Sequence, residues 1–105
     1  MNITALALTL YLSNPLLTIA QGKVESHLNV FAKGRAKEQG AFQVIERHWG
    51  PTPKDFLSQA RQCESIRASL SADIWQSVKR YNGKGKRART YLARVQKQVI
   101  QDALL

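Results

Sequence analysis

Along most of this chain, apolar residues recur every three or four positions, and no stretch gives a convincing strand pattern. That regularity restricts the fold to packed helices. It is clearest near the C-terminus, where Tyr91, Val95, Val99 and Ala103 fall at steps of four and Leu92 and Ile100 widen the stripe. The spacing predicts a helix over about 87–104. Phe56, Ala60, Cys63, Ile66 or Arg67, and Leu70 make the inward stripe of another over 54–70. A shorter helix is expected over 72–81, capped by Ser71, with Ile74, Trp75 and Val78 buried. Ile3, Leu6, Ala7, Leu10 and Tyr11 suit one face of a helix over 3–13. Asn14-Pro15 ends that helix and begins the next, since Asn caps free N–H groups and Pro fits the first turn. This second helix is expected over 15–27, with Leu16, Ile19, Ala20 and Val24 inward. Gly22 inside it costs about 1 kcal/mol against Ala, which implies a close neighbour there.

Between these segments lie the breaks. Residues 29–40 hold Gly34, Gly40 and several cations and read as a mobile surface loop or short helix. Residues 41–48, apolar at Phe42, Val44 and Ile45, read as a short helix or ribbon. Trp49-Gly50-Pro51-Thr52-Pro53 interrupts the chain, and Asn82-Gly83-Lys84-Gly85 is a turn. The expectation is one domain over residues 1–105, all-α or mostly α.

The net charge is +9. Half of the sixteen Lys and Arg residues fall between Lys79 and Lys97, an interval with no Asp or Glu. Such a face either attracts a polyanion, such as nucleic acid or an anionic bacterial wall, or is simply solvated. The single Cys63 makes no internal disulfide. No apolar run is long enough to span a bilayer. Residues 4–20 imitate a signal peptide, with Thr18-Ile19-Ala20 like a cleavage site. No basic residue precedes Lys23 and Pro15 interrupts the run, so core helix is the preferred reading. His27, His48 and Cys63 lack metal-ligand spacing, and no glycine-rich phosphate loop is present, so no cofactor is expected.

Glu25 stands out chemically. It falls near the C-terminal end of the second helix, against the negative end of the helix dipole, among apolar neighbours. Both effects favour the protonated carboxyl, as a general acid requires. An ordinary surface Glu is the competing reading of the Glu25-Ser26 dipeptide. A second Glu-Ser, Glu64-Ser65, lies inside a predicted helix and shows how little the dipeptide says alone.

Glu25-Ser26 is followed by Gly40-Ala41-Phe42-Gln43, then the helix around 59–70, then Tyr81-Asn82-Gly83-Lys84-Gly85, then Tyr91 and Val95. In this order and spacing the chain resembles the lysozyme-like lytic transglycosylases, the soluble-lytic-transglycosylase type domain. The resemblance covers nearly the whole chain and implies a small lysozyme-like helical domain acting on peptidoglycan glycan strands. It implies one catalytic carboxyl, Glu25, acting first as acid and then as base. The muramic acid's own C6 hydroxyl attacks in that family, leaving a 1,6-anhydro sugar. Ser26, Gln43, Tyr81 and Asn82 would line the cleft, with Tyr81 either bonding beside Glu25 or only lining the cleft as a core tyrosine with a satisfied hydroxyl. Glu38 is the residue to watch as a second carboxylate, which a hydrolytic lysozyme would need. Phe42 and Trp49 could stack on sugars, with core packing the safer assignment for Phe42. Lys84, Lys86, Arg87 and Arg89 would hold the anionic polymer. His27-Leu28-Asn29 and the basic loop 33–39 depart from the family's pattern.

Small size and the lack of a clear export signal suggest a phage- or plasmid-encoded protein acting in the periplasm or cell wall. A virion, secretion channel or lysis system would deliver it there. Two readings from other classes stay open: a basic helical module binding nucleic acid, and an inactive structural protein of lysozyme-like shape.

Overall fold

The computed structural model describes residues 12–104. The helix expected over 3–13 lies outside the described residues for nearly all of its length. Of that segment only Leu12 and Ser13 are described, and Leu12 is buried in the core. The described residues form α1 (Pro15–Ser26), β1 (Glu38–Gln39), β2 (Val44–Ile45), α2 (Glu46–Trp49), α3 (Phe56–Leu70), α4 (Ile74–Tyr81) and α5 (Gly85–Ala103). The fold is mostly helical, as the periodicity requires.

Three main helices begin where the sequence supplies a side-chain cap, whereas α5 follows Lys84, which gives none. Asn14 Oδ1 accepts from Leu17 N at 3.3 Å and Pro15 occupies the first turn of α1. Asp55 caps α3 by accepting from Ser58 N at 2.9 Å. The cap of α4 is Asp73, which accepts from Gln76 N at 2.8 Å, and not Ser71. Ser71 Oγ instead accepts from Asp73 N and shapes the turn before the helix. The carboxylate is the better acceptor, and so α4 starts two residues later than expected.

Two core clusters hold the helices. Leu12, Phe42, Val44, Ala60, Cys63 and Ile66 form one, and Leu17, Val78, Tyr91 and Val95 the other. The Tyr81 ring packs against both. Helix α1 lies mainly along α5, and α3 along α4. Lys23 ties the first pair together with a 2.8 Å ion pair to Asp102.

The inward faces differ from expectation in three places. In α1 the buried face runs through Leu17, Thr18, Ala20, Gln21 and Gly22, while Leu16 is 43% exposed. The face contains two polar residues, so apolar spacing alone places it one residue too early. In α4, Val78 is buried, but Ile74 and Trp75 are 50% and 40% exposed and Ser77 is buried. In α5, Tyr91 and Val95 are buried, yet Ile100 and Ala103 face outward. Past Val99 the helix meets α1 through Asp102 and not through its apolar stripe.

The segment read as a loop and then a helix or ribbon contains an antiparallel hairpin. Glu38 pairs with Ile45 and Gln39 with Val44, and Lys33 bridges to Gln39. Only two residues per strand pair, too few for an alternating pattern to register. The buried Gln59 of α3 secures the hairpin turn. Its Oε1 accepts from Ala41 N at 2.8 Å, and its Nε2 donates to Pro53 O at 2.8 Å and Val30 O at 3.2 Å. Gly40, at φ +80°, passes so close to Gln59 that a Cβ would meet its Oε1 at 2.7 Å. The expected close neighbour of Gly22 is present: a Cβ there would lie 2.8 Å from Leu28 Cδ2 and 2.9 Å from Phe42 Cε1.

Candidate active site

Helix α1 ends at Ser26 because His27 and Leu28 both turn into the left-handed region, at φ 57° and 64°. Their N–H groups return to Lys23 O at 3.0 Å and Gly22 O at 3.2 Å, satisfying two of the helix's free carbonyls. A Leu in this conformation is strained. Its side chain is held over Gly22. This stop leaves Glu25 in the last helical turn, facing a cleft.

The cleft is two adjoining hollows that share Glu25, Asn82 and Arg87. One, of about 600 Å³, adds Val24, Lys86, Thr90, Tyr91 and Arg94. The other, of about 500 Å³, adds Ala36, Glu38, Gln43, Ile45, Tyr81 and Gly83. One side is therefore rimmed by cations of α5, and the other is walled by the hairpin and the α4–α5 turn.

Burial lifts the Glu25 carboxyl from its ordinary 4.5 to about 7. The Tyr91 hydroxyl opposes this by donating to Glu25 Oε2 at 2.8 Å. Glu38 adds a further upward push through its charge, and Arg94 pulls downward. Near neutrality the group is thus shared between its acid and base forms. Tyr91 is itself buried, and its hydroxyl is held well above its usual range by burial and then by the Glu25 charge.

The partner of Glu25 is Tyr91 and not Tyr81. Of the places open to Tyr81, the structure takes the cleft wall with the hydroxyl satisfied in the body: it donates to Phe42 O at 2.8 Å and locks the hairpin turn to α4. Tyr81 still lines the second hollow. Ser26 also faces elsewhere: its Oγ donates to Ala41 O at 2.8 Å and accepts from Asn29 N at 2.9 Å. It braces the chain around the cleft and is not among the residues lining either hollow. Gln43, at φ 50°, lines the second hollow, with Nε2 donating to Gly40 O at 2.9 Å. Asn82 ends α4 and lies on both hollows. Glu38 shares the second hollow with Glu25 and arches over Gly34, where a Cβ would collide with its carboxylate. Phe42 is 1% exposed and belongs to the core. Trp49 is partly exposed in a neighbouring hollow with Gln43 and Tyr81. Of the basic run, Lys86 and Arg87 reach the cleft.

Sequence reasoning missed Arg94 as a cleft residue and Tyr91 as the direct partner of Glu25. The available signal was spacing on α5, where residues 87, 91 and 94 share a face. The second Glu-Ser has a different fate. Glu64 accepts from Ser13 N and Asn14 N at 2.9 Å and from Thr18 Oγ1 at 3.0 Å, and it lies 3.7 Å from Arg67. It is a structural carboxylate, fully engaged, while Glu25 faces open space.

Among the described residues no group of His, Cys, Asp and Glu has metal-binding geometry, and no helix is long and apolar enough to cross a membrane. The chain was compared with protein-family models, curated proteins and solved structures, and none of these matches it.

Proposed function

We propose that this protein cleaves peptidoglycan glycan strands at the MurNAc-GlcNAc β-1,4 bond, as a lytic transglycosylase. One observation carries the reading: Glu25 is largely buried, its pKa is near 7, Tyr91 orients it, and it borders a cleft rather than a core. Glycosidic cleavage needs a proton on the leaving oxygen as positive charge develops at the anomeric carbon. A carboxyl shared between acid and base forms near neutral pH serves both proton transfers of a one-acid mechanism. Glu25 protonates the leaving oxygen. The resulting carboxylate then takes the proton of the muramic C6 hydroxyl as that oxygen closes on the anomeric carbon. Tyr91, donating to Oε2, stabilises the carboxylate between the two steps. Lys86, Arg87 and Arg94 supply the cationic rim for an anionic polymer. Export by a virion or secretion channel accords with this reading, as does a place of action in the periplasm or wall.

Glu38 in the same cleft supports a hydrolytic variant, in which it would activate water. Mass spectrometry of purified peptidoglycan digested by the wild type and by Glu25→Gln separates the two. Anhydro-muropeptides from the wild type alone are expected, with cleavage by Glu25→Gln reduced by several orders of magnitude, on the order of 10³ or more. Reducing-end fragments would instead assign the lysozyme reaction. No fragments, together with salt-sensitive binding of nucleic acid, would overturn the reading in favour of a nucleic-acid module.

A further inference from the structure

Beyond the Glu38 side of the cleft the surface continues into a third hollow of about 250 Å³, which shares Gln43, Ile45, Tyr81 and Gly83 with it. The buried Val44 and Ile66, with Leu70, supply its apolar base, and the exposed Trp49, His48 and Arg80 surround it. Trp49 is set by its turn. Gly50 N donates back to Glu46 O at 2.8 Å, and Glu46 Oε1 accepts from Thr52 N at 3.1 Å. The indole is left 42% exposed. Arg80 is anchored through Nη1, which donates to Leu70 O at 2.8 Å. Most of its N–H groups remain after that bond, and among the described residues no carboxylate pairs with it.

This lining does not suit a sugar. Hydroxyls are recognised by side chains that both donate and accept, and the hollow contains no Asp, Glu or Asn. Its one amide, Gln43, already donates to Gly40 O at 2.9 Å. Aliphatic and aromatic surface beside a guanidinium instead suits a ligand with small apolar groups and a carboxylate. We propose that the hollow around Trp49 and Arg80 binds a short acidic peptide, the stem carried by the muramic acid, with Arg80 on a stem carboxylate and Trp49 against its aliphatic part. Assigning the peptide to a wall stem rests on the peptidoglycan reading; the preference for an acidic peptide over a sugar does not. The position fits that source. The muramic acid is the sugar that reacts at Glu25, and its stem branches from the same ring, so a place for the stem must open directly off the cleft. This hollow does so through Gln43, Tyr81 and Gly83.

The test is a nitrogen-15 NMR titration of the whole chain with millimolar N-acetyl-L-alanyl-γ-D-glutamate, in which the acetyl group stands for the lactyl carbonyl, beside the GlcNAc disaccharide. The reporter is the Trp49 indole N–H, assigned with Trp75→Phe. The acyl dipeptide should shift it and the disaccharide should not. Arg80→Gln should weaken dipeptide binding by about tenfold or more, through loss of a charge-assisted hydrogen bond. If Arg80→Gln does not fold, Trp49→Leu replaces it, read at the Leu70 N–H with the same criterion. No shift with the dipeptide, unchanged affinity in the folded variant, or an equal response to the disaccharide overturns the proposal. On wall strands, Arg80→Gln should lower kcat/KM about tenfold more for peptide-bearing strands than for strands stripped by an amidase, and equal losses overturn it. Dipeptide shifts without any wall cleavage would reject the enzyme reading and leave the peptide site standing, and cleavage without dipeptide shifts would do the reverse.

Discussion

Replacing Glu25 with Gln should stabilise the protein above neutral pH while removing its acid. In the folded chain burial raises the Glu25 carboxyl from 4.5 to about 7. The folded state therefore holds a proton that the unfolded state releases between these values. Stability from this group is fully present below about pH 4.5 and is lost as pH rises through about 7. A displacement of about 2.5 pH units corresponds to a ceiling of ~3 kcal/mol. Gln has nearly the same shape, and its carbonyl still accepts from Tyr91, but it carries no charge to bury. Urea denaturation of both proteins from pH 4 to pH 9 reads the difference. Near pH 4 the two should agree within about 0.5 kcal/mol. By pH 8 the Gln variant should be more stable by roughly 2–3 kcal/mol, with Tm higher by about 10 °C. A difference that does not change with pH, or a Gln variant less stable at pH 8, would show that Glu25 is not desolvated as described.

Two further predictions concern packing. Gly22→Ala gains about 1 kcal/mol of helix propensity, but its methyl group lies under 3 Å from Leu28 and the fully buried Phe42. Overpacking of about 1–3 kcal/mol should outweigh the gain and lower Tm, and a higher Tm would refute the argument. Glu64→Ala leaves Arg67 buried without its counter-charge and frees the N–H groups of Ser13 and Asn14. A loss of about 3–5 kcal/mol in urea denaturation is expected, the opposite of Glu25→Gln at the same pH, and a loss under about 1 kcal/mol would refute it.

Much of this fold was legible from local rules. The 3.6-residue period marked the three longer described helices, and Asn14-Pro15 and Asn82-Gly83 marked their punctuation, because capping and turn chemistry depend on adjacent residues. Glu25 was legible as a candidate acid from its place at a helix end, but the burial that lifts its carboxyl was not local. What escaped depends on residues far apart in the chain. The two-residue hairpin is held by Gln59, some twenty residues downstream. Ile74 and Trp75 follow a helical stripe yet remain partly exposed, since pattern shows which face is apolar and not whether anything covers it.

The two Glu-Ser pairs show where the boundary lies. By itself the sequence determined that both carboxylates would sit on helices, since helix period and caps are local. Only the tertiary structure decided their chemistry. Glu64 meets Thr18 and the backbone N–H groups of Asn14 and Ser13 across 46 to 51 residues, and Arg67 one turn along its own helix. Glu25 meets Tyr91, 66 residues away, at the edge of a cleft that α1, α4, α5 and the hairpin make together. A carboxyl's proton affinity is set by the water it loses and the donors it gains, and both are properties of packing between distant segments.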